Sequence, residues 1–286
     1  MNPHATAPSF GFFLAFDVGY LRMATALVHA LCHFHPGKRI RVLTLPADVE
    51  HLAAWAATLP GVEIAAYAAS NLDFGEWHPL VWAKLEAFAS EDHEMEVVLD
   101  VDQLLYRPLT ECIAEAWLAG KVIAASPDIT DLRGHVRATY THPEGLEALR
   151  GVPCFNAGAM IVRPSRGAYE ELLALARKVH GDVRLPEQAV LNLWARSKNA
   201  FCDLGDSLML QPLSPRLLEP DVPSCLVHFW TPRPPFFGTS PVRSSEPSWD
   251  ECLHQFERET GSPYPTERFE RDYSRWLRAE PKEVLR

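Results

Sequence analysis

The stretch Glu96-Val97-Val98-Leu99-Asp100-Val101-Asp102 constrains this chain most, because an uninterrupted apolar run stops abruptly at two carboxylates. An apolar run of β-compatible residues predicts a buried central strand, with the acids where that strand emerges. Strand alternation turns Asp100 and Asp102 to the same side and Val101 away. Two carboxylates so placed repel each other and resist desolvation unless a cation lies between them. Ordinary strand ends also carry Asp-x-Asp triplets whose acids face water or cap the next turn. The triplet alone therefore leaves both readings open.

The surrounding pattern is βαβ. Phe12–Phe16 reads as a strand, Asp17–Tyr20 as the loop at its C-terminal end, and Leu21–His33 as a helix. Strands over Arg39–Thr44 and Val62–Tyr67 alternate with helices near Val49–Thr58 and Pro79–Ser90. A further strand begins at Lys121–Ala125, and Asp128–Arg150 is a polar stretch with helical pieces. Phe155–Val162 is apolar again, and helices follow at Ala168–His180 and Glu187–Ala195. Such alternation predicts a mostly parallel sheet with helices on both faces, and ligands bind such sheets beyond the carboxyl ends of their strands. From Pro212 prolines crowd in and predict an irregular wrapping segment. Phe269, Tyr273, Trp276 and Leu277 have the spacing of a last amphipathic helix that docks on the body.

With 286 residues, 47% hydrophobic and 22% charged, the chain has the composition of an ordinary globular protein with a sizeable core. A formal charge of −10 argues against a nucleic-acid partner and gives no support for an anionic membrane surface. The six cysteines contain no C-x-x-C pair, which argues for reduced, mostly buried thiols over a zinc knuckle. Met1–Phe16 has an apolar run without a basic leader or a clear cleavage site, and so predicts a first strand. No apolar stretch approaches the roughly 20 residues of a transmembrane helix. The expected location is the cytoplasm.

Four segments in chain order carry a family resemblance: Lys84 ahead of the acid-tipped strand, Asp100-Val101-Asp102, Phe155-Asn156-Ala157-Gly158-Ala159-Met160, and Val227-His228-Phe229-Trp230. Together they resemble the glycogenin-like glycosyltransferases of family 8, over roughly Phe10 to Phe236. The resemblance implies a GT-A fold and transfer with retention. It also implies that residues 1–236 form the glycosyltransferase domain, with 237–286 a C-terminal wrapping segment and helix of that same domain. The donor would be a nucleotide-sugar, in the first instance a UDP-hexose, and the acceptor a glycan, glycolipid or protein.

The same resemblance implies roles by position. Leu14, Phe16, Asp17 and Tyr20 would line the nucleoside site. Asp100, Asp102 and His228 would hold a divalent ion, and two carboxylates with an imidazole suit Mn²⁺ better than Mg²⁺. Lys84, Val101, Asp128, Asn156, Ala157 and Gly158 would contact the donor. Asn156 is a buried amide in need of partners, which sugar hydroxyls can supply. Glycine at 158 would let the backbone approach closely.

Departures from the family pattern are specific. Glu187-Gln188 stands where the family often has Asp-Gln, placing the carboxylate on a longer arm; both residues, with Lys84, are the catalytic candidates. Arg184 replaces an acid of glycogenin, with Asp182 nearby. Pro234 fills a lysine position, and Arg233 beside it is the expected phosphate contact instead. Two other classes stay in view: a non-catalytic nucleotide- or glycan-binding descendant, and a sugar nucleotidyltransferase. The second is disfavoured because Phe16–Tyr20 lacks a glycine-rich basic loop.

Overall fold

The structure, a computed structural model, describes residues 7–68, 78–139, 146–230, 234–237 and 248–279. Its strands are β1 (Phe10–Ala15), β2 (Ile40–Thr44), β3 (Val62–Ala66), β4 (Met95–Leu99), β5 (Gln103–Leu105), β6 (Ile123–Asp131), β7 (Pro153–Val162), β8 (Phe201–Asp203), β9 (Met209–Leu210) and β10 (Leu226–His228). Its helices are α1 (Leu21–Phe34), α2 (Val49–Ala56), α3 (Leu80–Ala83), α4 (Thr110–Ala119), α5 (Arg166–Val179), α6 (Pro186–Lys198), α7 (Trp249–Thr260) and α8 (Thr266–Arg278). Seven strands form one sheet in the order β3-β2-β1-β4-β7-β6-β8, and β5-β10-β9 form a second, small one. In the large sheet β7 runs against its neighbours β4 and β6, while the other pairings are parallel. The acid-tipped strand, β4, is central as expected, between β1 and β7.

Both faces of the large sheet are covered at its centre, which is why β1 and the Val97–Leu99 stretch of β4 read as apolar without alternation. Along β1, Phe12 and Leu14 enter the core beneath α1, α2, α4 and α8, and Phe13 enters the core beneath α3, α5 and α6. The last helix docks as its spacing predicts: Phe269, Tyr273 and Trp276 of α8 are buried. Tyr273 donates from its hydroxyl to the Arg22 carbonyl at 3.2 Å, and His29 Nδ1 donates to the Trp276 carbonyl at 2.8 Å. Among the described residues no helix is long and apolar enough to cross a membrane. All six cysteines are free thiols.

Two segments differ from expectation. The helix expected over residues 79–90 is α3 followed by a tight 3₁₀ stretch, Lys84–Ala89. With three residues per turn, Trp82, Leu85 and Phe88 stack on one face, and all three are buried. The stretch expected to be polar and part-helical after Asp128 begins as strand, because β6 runs on to Asp131 through an irregularity at Pro127. Proline has no N–H for the ladder and sits in sheets at such bulges.

Candidate active site

β6 and β7 separate at the centre of the molecule. Ala125 pairs with Met160 and Pro127 with Phe155, so β7 covers five residues (160 − 155) while β6 covers two (127 − 125). Asn156, Ala157 and Gly158 are thereby left without β6, and buried main-chain groups require other partners. Side chains supply them. Gln188 Oε1 accepts from Ala157 N at 2.8 Å, Lys84 Nζ donates to Ala157 O at 3.4 Å, and Asn156 Oδ1 accepts from Gly158 N at 2.8 Å. Gly158 O takes the Asp100 main-chain N–H at 2.7 Å and Gln103 Nε2 at 2.5 Å. The Phe-Asn-Ala-Gly stretch is thus the place where sheet hydrogen bonding passes to the residues singled out by the sequence.

Helix α6 makes this possible. Pro186 opens it, and Gln188 and Asn192, one turn apart, face β7. Asn192 grips the Phe155 backbone from both sides: Oδ1 accepts from N at 2.8 Å and Nδ2 donates to O at 2.9 Å. Sequence reasoning missed Asn192. Its signal was a single amide inside Val190-Leu191-Asn192-Leu193-Trp194, which a buried helix keeps only when the amide is paired.

Asp128 is an internal organiser. Oδ1 accepts from Thr130 N and Oγ1, both at 2.9 Å, and Oδ2 accepts from Gln188 Nε2 at 2.8 Å and Asn156 Nδ2 at 3.1 Å. The Asn156 amide, expected to need sugar hydroxyls, already has a protein partner at each end. His135, also missed, lies against Gln188 and Thr130. Burial lowers its pKa against the raising pull of Asp128, Asp131 and Glu187.

The two acids meet His228 across a long stretch of chain. Antiparallel pairing sets His228 of β10 opposite Gln103 of β5, and Phe229 N donates to the Asp102 carbonyl at 2.9 Å. His228 Nε2 consequently lies 3.1 Å from Asp102 Oδ1 and 3.8 Å from Asp100 Oδ2. One ligand atom from each of Asp100, Asp102 and His228 falls within 4.8 Å of the others. Asp102 and His228 are buried, whereas the Asp100 side chain is 28% exposed. Burial raises the Asp100 pKa and Asp102 adds to that, while Lys84 and His228 pull it down. Val101 turns into the core, as alternation requires.

Lys84 is only 7% exposed and bridges two carboxylates, Asp100 Oδ1 and Glu187 Oε1, each at 2.8 Å. Burial works against its charge, but Asp100 and Glu187 outweigh burial and hold the ammonium above its usual range. Glu187 Oε2 has no protein hydrogen bond among the described residues.

The first loop is placed less directly. Leu14 and Phe16 bury their side chains, Phe16 edge-on to Trp55 at 6.0 Å, so only their backbone is available to a ligand. Asp17 caps the turn Val18–Tyr20 by accepting from Gly19 N at 2.7 Å, and its other oxygen lies 3.1 Å from His78 Nε2. Tyr20 is half-buried at the end of that turn. Arg233 lies outside the described residues.

Neither protein-family models nor curated protein sequences match this chain. Solved structures do. Over 99% of the chain it resembles the bifunctional glycosyltransferase WbbM, with a TM-score of 0.61 and 13% identity. The glycosyltransferase GlyE of Streptococcus pneumoniae TIGR4 is similar over 98% of the chain, with a TM-score of 0.59 and 15% identity. The chain spans 52% of WbbM and 62% of GlyE. The galactosyltransferase LgtC, in complex with donor and acceptor sugar analogs, is matched over 91% of this chain and 99% of its own, with a TM-score of 0.58 and 19% identity. At these identities the likeness concerns the backbone: the chain has the GT-A fold of nucleotide-sugar glycosyltransferases.

Proposed function

We propose that this chain is a metal-dependent glycosyltransferase of the glycogenin-like type, moving a hexose from a UDP-sugar to a glycan, glycolipid or protein with retention. The observation that carries this reading is the convergence of Asp100, Asp102 and His228 at the carboxyl end of β4, on a GT-A fold. Solved structures of similar fold support it, LgtC having been seen with donor and acceptor sugar analogs. Free thiols fit the expected cytoplasmic setting.

The donor set fits a divalent ion. Two acids that otherwise repel converge on an imidazole, whose Nε2 is turned to them at 3.1 Å from Asp102 Oδ1 and 3.8 Å from Asp100 Oδ2. Mixed oxygen and nitrogen donors favour Mn²⁺, with Mg²⁺ second. A bound ion supplies Lewis-acid charge for a departing diphosphate.

The chain's own residues divide the remaining work. Lys84 keeps a fixed positive charge beside Asp100, where charge develops on a leaving nucleotide. Glu187 has one oxygen held by Lys84 and one free for donor-sugar hydroxyls. Gln188, Asn156 and Asp128 spend their polar atoms on one another and on β7, and act by holding the wall behind the sugar. Arg233 is the proposed second phosphate contact.

Calorimetric titration of UDP in Mn²⁺ and then in EDTA tests the site, and incubation with UDP-sugars tests the chemistry. Metal-dependent UDP binding followed by transfer or hydrolysis is expected. Binding without product from any UDP-sugar overturns the enzyme reading in favour of a binding protein, and no binding in either condition overturns the donor assignment.

A further inference from the structure

His135 joins the two elements that carry Asp128 and Gln188, and it does so from complete burial, at 0% exposure. Its main-chain oxygen accepts from Arg184 N at 2.8 Å and Leu185 N at 3.4 Å, the residues that lead into α6. Its Nε2 lies 2.8 Å from Thr130 Oγ1 and 3.3 Å from Gln188 Nε2. Thr130 in turn donates through both N and Oγ1 to Asp128.

The Gln188 amide has one allowed orientation. Its oxygen is taken by Ala157 N, so its amino group must face Asp128 and His135. Asp128 accepts one amino hydrogen. Because the Thr130 hydroxyl gives its one hydrogen to Asp128, Nε2 of His135 is the donor to Thr130 Oγ1 and fixes the carboxylate that in turn fixes the amide. A packing residue would need no nitrogen at that point. A residue that orders the Thr130 hydroxyl and, through it, the Asp128 carboxylate does.

We propose that His135 is a positioning residue that, through Thr130, holds Asp128 and with it the Gln188 amide in register behind the donor sugar. The role in turnover rests on the glycosyltransferase reading above. The role in orienting Gln188 is measurable without it.

The test compares His135→Phe, which keeps ring volume without ring nitrogens, with His135→Gln, whose amide reaches the Nε2 position. The side-chain amide signals of Gln188 in a ¹H–¹⁵N spectrum, assigned by their loss in Gln188→Ala, report orientation directly. The Phe variant is expected to move those signals, to keep UDP affinity in Mn²⁺ within about twofold, and to lower kcat about 10–100-fold with KM little changed. The Gln variant restores most of the rate. Unmoved Gln188 signals or an unchanged kcat overturns the proposal. So does a parallel fall of kcat, UDP affinity and melting temperature that the Gln variant does not rescue, since that is packing alone. If the Phe variant does not unfold cooperatively, Thr130→Val, which cuts the link to Asp128 and keeps the ring, is read in the same way. A wild-type protein without transfer overturns the enzyme reading instead, and the amide signals then decide His135.

Discussion

The imidazole of His228 occupies the space that a side chain on Gly158 would need: a Cβ there would lie 2.1 Å from Cε1 and 2.5 Å from Nδ1. Glycine at this position therefore admits a protein ring rather than, as its place in the sequence suggests, a close-lying donor. Neither ring nor β7 backbone can yield cheaply, because His228 is held by β10 pairing and Gly158 O by Asp100 and Gln103. Gly158→Ala is expected to push the imidazole off the two acids and weaken Mn²⁺ affinity about 10–100-fold, as disturbed ligand orientation does elsewhere. Calorimetry with Mn²⁺ alone reads this, with circular dichroism to show the sheet intact.

Asp102→Asn separates charge from architecture. The Asp102 carbonyl, not its carboxylate, receives the Phe229 N–H, so β10 keeps its place in the variant. Metal-dependent UDP binding and turnover should fall below detection while the melting temperature changes little. Retained manganese-dependent turnover would remove Asp102 from the ligand set.

Lys84 is one ammonium shared by two carboxylates, and removing it leaves both without that cation. Lys84→Met is expected to destabilise the fold by about 3 kcal/mol, the low end for breaking a buried pair, because Asp100 keeps contact with solvent. Adding Glu187→Gln should recover part of that loss. Urea unfolding of the single and double variants measures the coupling, and strict additivity would mean that the pair contributes nothing to stability.

Asn192→Leu preserves the size of a buried helix residue and deletes both bonds to Phe155. Two main-chain groups are then buried unpaired, which costs about 1–3 kcal/mol each. A loss of about 2–6 kcal/mol is expected in denaturant unfolding; a change below about 1 kcal/mol would mean that water or β6 takes over the role.

Acid stability should depend on His35. Its Nε2 accepts from Leu109 N at 3.0 Å, and burial, with a smaller push from Lys38, lowers its pKa to about 4. Unfolded, the same ring titrates near 6.5, so between those values the unfolded state binds the extra proton. Its contribution to stability is complete above about pH 6.5 and is lost as pH falls toward 4, by up to about 1.4 kcal/mol per pH unit. Urea midpoints at a series of pH values give the slope, and His35→Gln, which can still accept from Leu109, should flatten it.

Periodicity made the frame of this molecule readable. The runs at Phe12–Phe16 and Val97–Leu99 had no polar face, and they lie at the centre of a sheet covered on both sides. Lys84, Asp100, Asp102 and His228 were legible because charge and imidazole stood out against apolar neighbours. The partners of β7 were not. Asn192, Gln103, Thr130 and His135 act because β6 and β7 part at Pro127, and a register break between two strands leaves no periodic mark in either. Asp128 and Asn156 were identified as site residues, but their bonds to one another join positions 28 residues apart, which local patterns do not report.

The order of the residues along the chain gives Lys84 a further meaning. His228 follows Asp102 by 126 residues, so during synthesis at roughly 5–20 residues per second the acid pair exists for several seconds or more before its imidazole emerges. Lys84 precedes Asp100 by 16 residues and is made first. A nascent chain thus carries its own counterion from the moment β4 can join β1, and the central strand need not wait for the far end of the protein to bury its charged tip.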